Sequence, residues 1–240
     1  MDFQVIFGFD YSAITFPINI PPAPHSSGGT TKGLFMTVGL FMTVNKDGNG
    51  AAAAVNLYPT NVFAAGNFAL KFDVWLNWLD HGSATEHALF GINHSGNVTN
   101  RVARATSDGL FFAMDGDGNS ASGNVSVRDY SVFRGSGSGV APILMLPGNT
   151  VFGPTPPLGL QFDSADAGFI NLFPNKMIDG YPSTAGTPGL GWVSVEVRQE
   201  NNLITWLLND VAVAQYTNIF DYTSGAVLIG YNDTFDSIGG

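Results

Sequence analysis

The chain has 240 residues, of which 45% are hydrophobic and 12% charged, with no cysteine and a formal net charge of -10. That length suits one large all-β domain or two small ones, and the missing cysteine excludes disulfides and thiolate metal sites. The basic residues are scattered from Lys32 to Arg198 and form no cluster, which argues against a nucleic-acid partner, since phosphate contacts need a basic patch.

In chain order, Met1-Asp2-Phe3 leads straight into a first predicted strand, Gln4–Phe9, with no basic segment ahead of an apolar one. No signal peptide is therefore expected in this sequence, and the expectation is either a signal already removed or an intracellular protein. Pro21–Pro24 reads as a loop. The next strand, Gly33–Val44, holds a perfect tandem copy, Gly33-Leu-Phe-Met-Thr-Val38 followed by Gly39-Leu-Phe-Met-Thr-Val44. An even repeat keeps the two faces of a strand in phase. The run is too short to cross a bilayer and is broken by Thr37, Gly39 and Thr43, so membrane insertion is not expected.

Further strands are predicted at Ala51–Tyr58, Ala69–Leu79, His87–His94, Gly109–Asp115, Val125–Phe133 and Gly168–Phe173. Gly135–Gly139 alternates Gly and Ser, and Pro142–Pro157 is proline-rich. Together they predict a flexible loop around 135–157 within a single domain, 1–240.

The last quarter is the clearest. In Gly191–Gln199, Val193, Val195 and Val197 alternate with Ser194, Glu196 and Arg198, the period of a half-buried strand. Asn201-Asn202 and Asn209-Asp210 then separate the strands Leu203–Leu208 and Val211–Thr217, and Ala226–Tyr231 follows. Asn and Asp suit two-residue turns because they tolerate positive φ. No window has the apolar spacing of a capped helix. The fold class is therefore all-β, a two-sheet antiparallel β-sandwich.

Several segments resemble concanavalin A-like (laminin-G-like) jelly-roll modules. Trp192-x-Ser194-x-Glu196, Asn201-Asn202 and Ile204-x-Trp206-Leu207-x-Asn209 look like their W-x-x-V…L-Y-V-N-G hairpin. Phe72–Asn77 is similar to the central concave-sheet strand of bacterial members, and Thr85–His94 to the strand after it. Phe9–Ser12 and Ile229–Asp233 resemble the paired terminal strands. The resemblance implies an extracellular module, often carbohydrate-binding and sometimes calcium-binding. Such modules usually carry a further strand after the segment matching Ala226–Ser237, where this sequence stops at Gly239-Gly240. The expectation is either a sandwich closed differently or an open sheet edge through which the chain self-associates.

Catalysis is weakly motivated. Glycoside hydrolysis needs two carboxylates around the scissile bond, and the chain has three Glu, at 86, 196 and 200, none in the E-x-D-x-x-E pattern of related glucanases. A face carrying a carboxylate, an aromatic ring and an amide suits a sugar, and alternation along Phe72–Leu79 puts Asp73, Trp75 and Asn77 on one face. With His87 on the next strand, these are the candidate ligand-binding residues. His87 and His94, an odd number apart, are expected on opposite faces.

Two oxygen-rich sets are candidate calcium ligands. Asp115, Asp117 and Asn119 alternate as in a calcium loop, though the same residues make hairpin turns. Asp10, Asp233 and Asp236 would meet if the terminal strands lie side by side. The functional expectations are a non-catalytic lectin-like module binding a glycan outside the cell or, alternatively, a structural subunit of a surface layer or filament. A polysaccharide hydrolase or lyase is the weaker third.

Overall fold

The computed structural model describes residues 3–15, 17–38, 53–77, 86–97, 109–115, 130–134, 143–144, 151–152, 160–162, 166–178, 180–218 and 223–233. In chain order the strands are β1 (Phe3–Asp10), β2 (Lys32–Val38), β3 (Ala53–Leu57), β4 (Ala64–Ala65), β5 (Phe68–Trp75), β6 (Glu86–His94), β7 (Leu110–Asp115), β8 (Tyr130–Arg134), β9 (Ile143–Leu144), β10 (Val151–Phe152) and β11 (Leu160–Phe162). A short helix, α1 (Ala167–Leu172), precedes β12 (Lys176–Ile178), β13 (Tyr181–Ser183), β14 (Trp192–Glu200), β15 (Leu203–Leu208), β16 (Val211–Thr217) and β17 (Ser224–Asp233).

The strands make an antiparallel sandwich. One sheet runs β10-β11-β8-β7-β6-β17-β3 with β4 also on β17, and the other runs β5-β14-β15-β16-β9. Val193, Val195 and Val197 of β14 point between the sheets beside Ile204, Trp206 and Leu208 of β15. They meet Ala88, Phe90 and Ile92 of β6, with Leu110, Phe112 and Met114 of β7. Trp206 is fully buried, with Phe90 and Phe112 edge-on at 5.7 and 5.4 Å. Aromatic pairs at such distances favour edge-to-face geometry. Phe72 of β5 meets Phe90 at 5.3 Å and ties the rim of the smaller sheet to the larger.

The two hairpin turns form as their residues require. Asn201, Asn209 and Asp210 have φ of 55°, 49° and 64°, the positive values that Asn and Asp tolerate. Asn209 also fastens its turn, its Oδ1 accepting from Ser194 N at 3.0 Å.

Four expectations need correction. Gly168–Phe173, predicted as a strand, lies within and just past α1. Phe169, Leu172 and Phe173 have i, i+3, i+4 spacing and face the core, where Phe169 stacks on Tyr130 at 3.8 Å. A helix of six residues is too short for its period to stand out. Pro142–Pro157, predicted as loop, contains the two-residue strands β9 and β10. Phe72–Asn77, read as similar to a central strand, covers the end of β5 and the two residues after it, and β5 is the edge of its sheet among the described residues. The terminal strands do not pair among the described residues: β1 pairs with β2, and β17 with β3, β4 and β6.

Candidate functional site

Alternation along β5 sends Leu70, Phe72 and Val74 into the core. Lys71, Asp73 and Trp75 therefore share the outer face. The register of β5 with β14 opposes Trp75 to Trp192, Asp73 to Ser194 and Lys71 to Glu196. Directly opposed residues share a face and touch, so a pair of tryptophans sits at one end of this ladder and a charge cluster at the other.

At the tryptophan end, the Trp75 and Trp192 rings meet edge-on at 5.6 Å, and Tyr11 meets Trp192 in the same manner at 5.3 Å. Both indoles are partly buried, and both N–H groups are engaged by the protein. Trp192 Nε1 donates to Pro21 O at 2.7 Å, and Trp75 Nε1 donates to Asn77 Oδ1 at 3.2 Å. The ring orientations are thereby set before any ligand arrives.

The segment 17–31 crosses this end as a strap. Ile18 and Ile20 anchor it in the interior. Tyr11 Oη accepts from Ala23 N at 3.0 Å and donates to Thr30 O at 2.9 Å. His25 latches the strap to β5, its backbone N donating to Asp73 Oδ2 at 2.9 Å and its Nδ1 lying 2.8 Å from Asp73 Oδ1. The Asp73 side chain is only 6% exposed, whereas that of His25 is 72% exposed. The carboxylate therefore holds the strap, and the imidazole, with Nε2 turned from the carboxylate, offers the polar group on the surface.

At the other end, Glu196 accepts from Arg198 Nε at 2.7 Å and Lys71 Nζ at 3.0 Å. Burial pushes its carboxyl up, but the hydrogen bonds from Arg198 and Lys71 and their charges outweigh burial and hold it below the usual carboxylate range.

Of the four sequence-derived ligand residues, the structure brings Asp73, Trp75 and Asn77 together and leaves His87 apart. His87 is buried on β6, on the outward face of the other sheet. His94 shares that face, against the expectation from spacing. Asn93 has φ 62°, and the β17–β6 register shifts beside it, so the alternation skips a step. The His94 ring lies over Gly91 and packs on Phe111 at 4.3 Å. The two histidines stand at opposite ends of the strand and do not converge.

Among the proposed metal ligands, Asp10 caps a 3-10 turn at Tyr11–Ala13. Hydrogen bonds from Ser12 Oγ (2.6 Å), Thr31 Oγ1 (2.7 Å) and Ser12 N hold its carboxyl below the usual range. Asp233 ends β17, opposite Ala53 and Glu86 in the backbone register, with no pairing among the described residues between its strand and that of Asp10. Asp115 ends β7, opposite His87. Asp117, Asn119 and Asp236 lie outside the described residues, as do Trp78 and the Gly/Ser segment 135–139. Among the described residues no three His, Asp or Glu side chains converge as a metal site requires.

Sequence reasoning missed His25, Pro21 and Tyr11 as parts of this site. Nothing local marks them, because each is brought to the sheet by the path of the strap. Trp192 lies on the outward face of β14, out of step with Val193, and only the fold makes it the neighbour of Trp75.

The protein is thus an antiparallel β-sandwich with an aromatic and polar patch on the outer face of its smaller sheet. No family model matches the chain, and no curated protein matches it. Among solved structures, it is similar to the Emp46p carbohydrate recognition domain in its potassium-bound form, with a TM-score of 0.33 and 9% identity, covering 77% of this chain and 66% of that one. That partial overlap assigns no residue here a role.

Proposed function

We propose that the protein is a non-catalytic carbohydrate-binding module that holds a sugar against Trp75 and Trp192. The observation that carries this reading is the tryptophan pair itself. Two partly exposed indoles have their N–H groups occupied by Asn77 and Pro21, so that they meet a ligand with ring surface. The C–H face of a sugar packs on such surface, and exposed Asn77 and His25 at its border supply hydrogen bonds for the hydroxyl groups. The cations on this face, Lys71 and Arg198, are engaged by Glu196. The patch therefore favours a neutral glycan over an acidic one.

The test is a glycan array followed by calorimetry on the best binder. Trp75→Ala is expected to weaken binding by at least about tenfold, the effect of losing roughly 1.4 kcal/mol of contact. Asn77→Ala, at an exposed side chain, is expected to weaken it less while leaving the fold intact. Failure to bind any glycan, or binding that neither substitution alters, would sink the proposal.

A further inference from the structure

The ribbon of β1 and β2 takes no part in the tryptophan patch. Phe7 is 75% exposed, and Leu34, directly opposite on β2, is 38% exposed. The ribbon ends at the Asp10–Lys32 pair, and no residue of Phe3–Phe9 or Gly33–Val38 is charged. Among the described residues β1 pairs with β2 alone. An unpaired strand edge presents a row of N–H and C=O groups to any further strand, and proteins commonly blunt it with lysine, proline or a bulge. Phe3–Phe9 has no lysine or proline. Its one irregularity is the bulge at Gly8, where φ is 69°.

We propose that β1 is a docking edge for a second copy of this chain, which adds a strand to the ribbon and covers Phe7. Two observations single out a second copy as the occupant. The chain carries a strand-forming partner of β1 twice in its sequence, because Gly33–Val38 pairs with β1 in this structure and the same six residues recur at Gly39–Val44, outside the described residues. Each molecule thus supplies one β1 and two matching hexapeptides. The second observation is charge. Copies with a net charge of -10 repel each other over most of their surface, and an uncharged ribbon lets them meet with no like charges opposed. Strand addition to so narrow a ribbon covers less than the roughly 800 Å² per partner of stable complexes, so the association is reversible and concentration-dependent.

Sedimentation velocity of the full chain tests this over about two decades of concentration, since mass action makes the mass concentration-dependent. The weight-average mass is expected to rise toward the dimer, and Phe7→Lys and Leu34→Lys are each expected to hold it at the monomer. Both side chains lie on the surface, and unchanged circular dichroism would confirm the fold. Phe63→Lys, at an exposed aromatic outside the ribbon, is expected to associate like the unaltered chain. A monomer at every concentration would overturn the proposal, as would association that survives both ribbon substitutions. A monomer that instead cosediments with phosphatidylcholine vesicles through Phe7 would also overturn it, assigning the patch to a lipid surface.

Discussion

Gln199→Leu should destabilise the sandwich through one buried hydrogen-bond junction. Gln199 is buried at the end of β14 and faces the other sheet. It accepts from Asn93 Nδ2 of β6 at 2.8 Å and donates to the carbonyls of Gly66 and Thr223, each at 2.8 Å. Leucine fills much the same volume, so the change removes these bonds and little packing. Gly66 and Thr223 are exposed and their carbonyls can turn to water. Asn93 is buried and, among the described residues, its Oδ1 has no partner, so losing the Nδ2 bond would strand the whole amide. A stranded buried amide costs about 1–3 kcal/mol, and two hydrogen bonds exchanged for water add a fraction of that. The expected loss is thus about 1.5–4 kcal/mol. Urea unfolding measures it as a lower midpoint at unchanged m. Asn93→Gly supplies the cycle, because glycine accepts the φ of 62° at that position without strain. In that background Gln199→Leu should cost at least about 1 kcal/mol less, as expected for a contacting pair. A loss below about 0.5 kcal/mol, within the range of ordinary surface changes, would refute the junction, and so would strict additivity in the cycle.

Two further predictions concern Glu196 and Gly91. The Glu196 carboxyl is depressed in the folded chain, so the unfolded chain binds more protons as pH falls through the ordinary value of 4.5. Its contribution to stability is present above that pH and lost below it. Stability measured from pH 6 downward should therefore fall more steeply in the unaltered protein than in Glu196→Gln, and parallel curves would show that the cluster with Lys71 and Arg198 contributes nothing. Gly91→Ala would drive a methyl group into the Leu110 carbonyl oxygen and the His94 ring. Overpacking of this kind typically costs about 1–3 kcal/mol, which thermal unfolding would register. An unchanged midpoint would mean that both the His94 ring and the Leu110 carbonyl give way without cost.

The strands of the last quarter were legible because their signals are local. Valine alternation set the buried face of β14, and Asn201, Asn209 and Asp210 take the positive φ that their residue types suggested. The helix at Ala167–Leu172 was missed because two turns give too little periodicity, and the face of His94 because one residue, Asn93, departs from the extended geometry that parity assumes. For the site, the shared face of Asp73, Trp75 and Asn77 was readable, whereas the role of Asp73 was not. A carboxylate on a polar face reads as a ligand group until the strap is seen to bring His25 onto it.

What the sequence determined by itself is that the chain is built from strands, which side of the clearest ones faces inward, and where two of the turns fall. These follow from a two-residue period and from the conformations open to single residues. Tertiary structure decided which strands became neighbours. It put β5 beside β14 and Trp75 against Trp192, drew the strap over both, and, among the described residues, left β1 paired on one side. The physical reason is that the cost of closing a loop grows only slowly with its length. Order along the chain therefore favours hairpin neighbours such as β14 and β15 without forbidding distant pairs such as β5 and β14, and the choice of the distant pairs falls to the packing of the whole core.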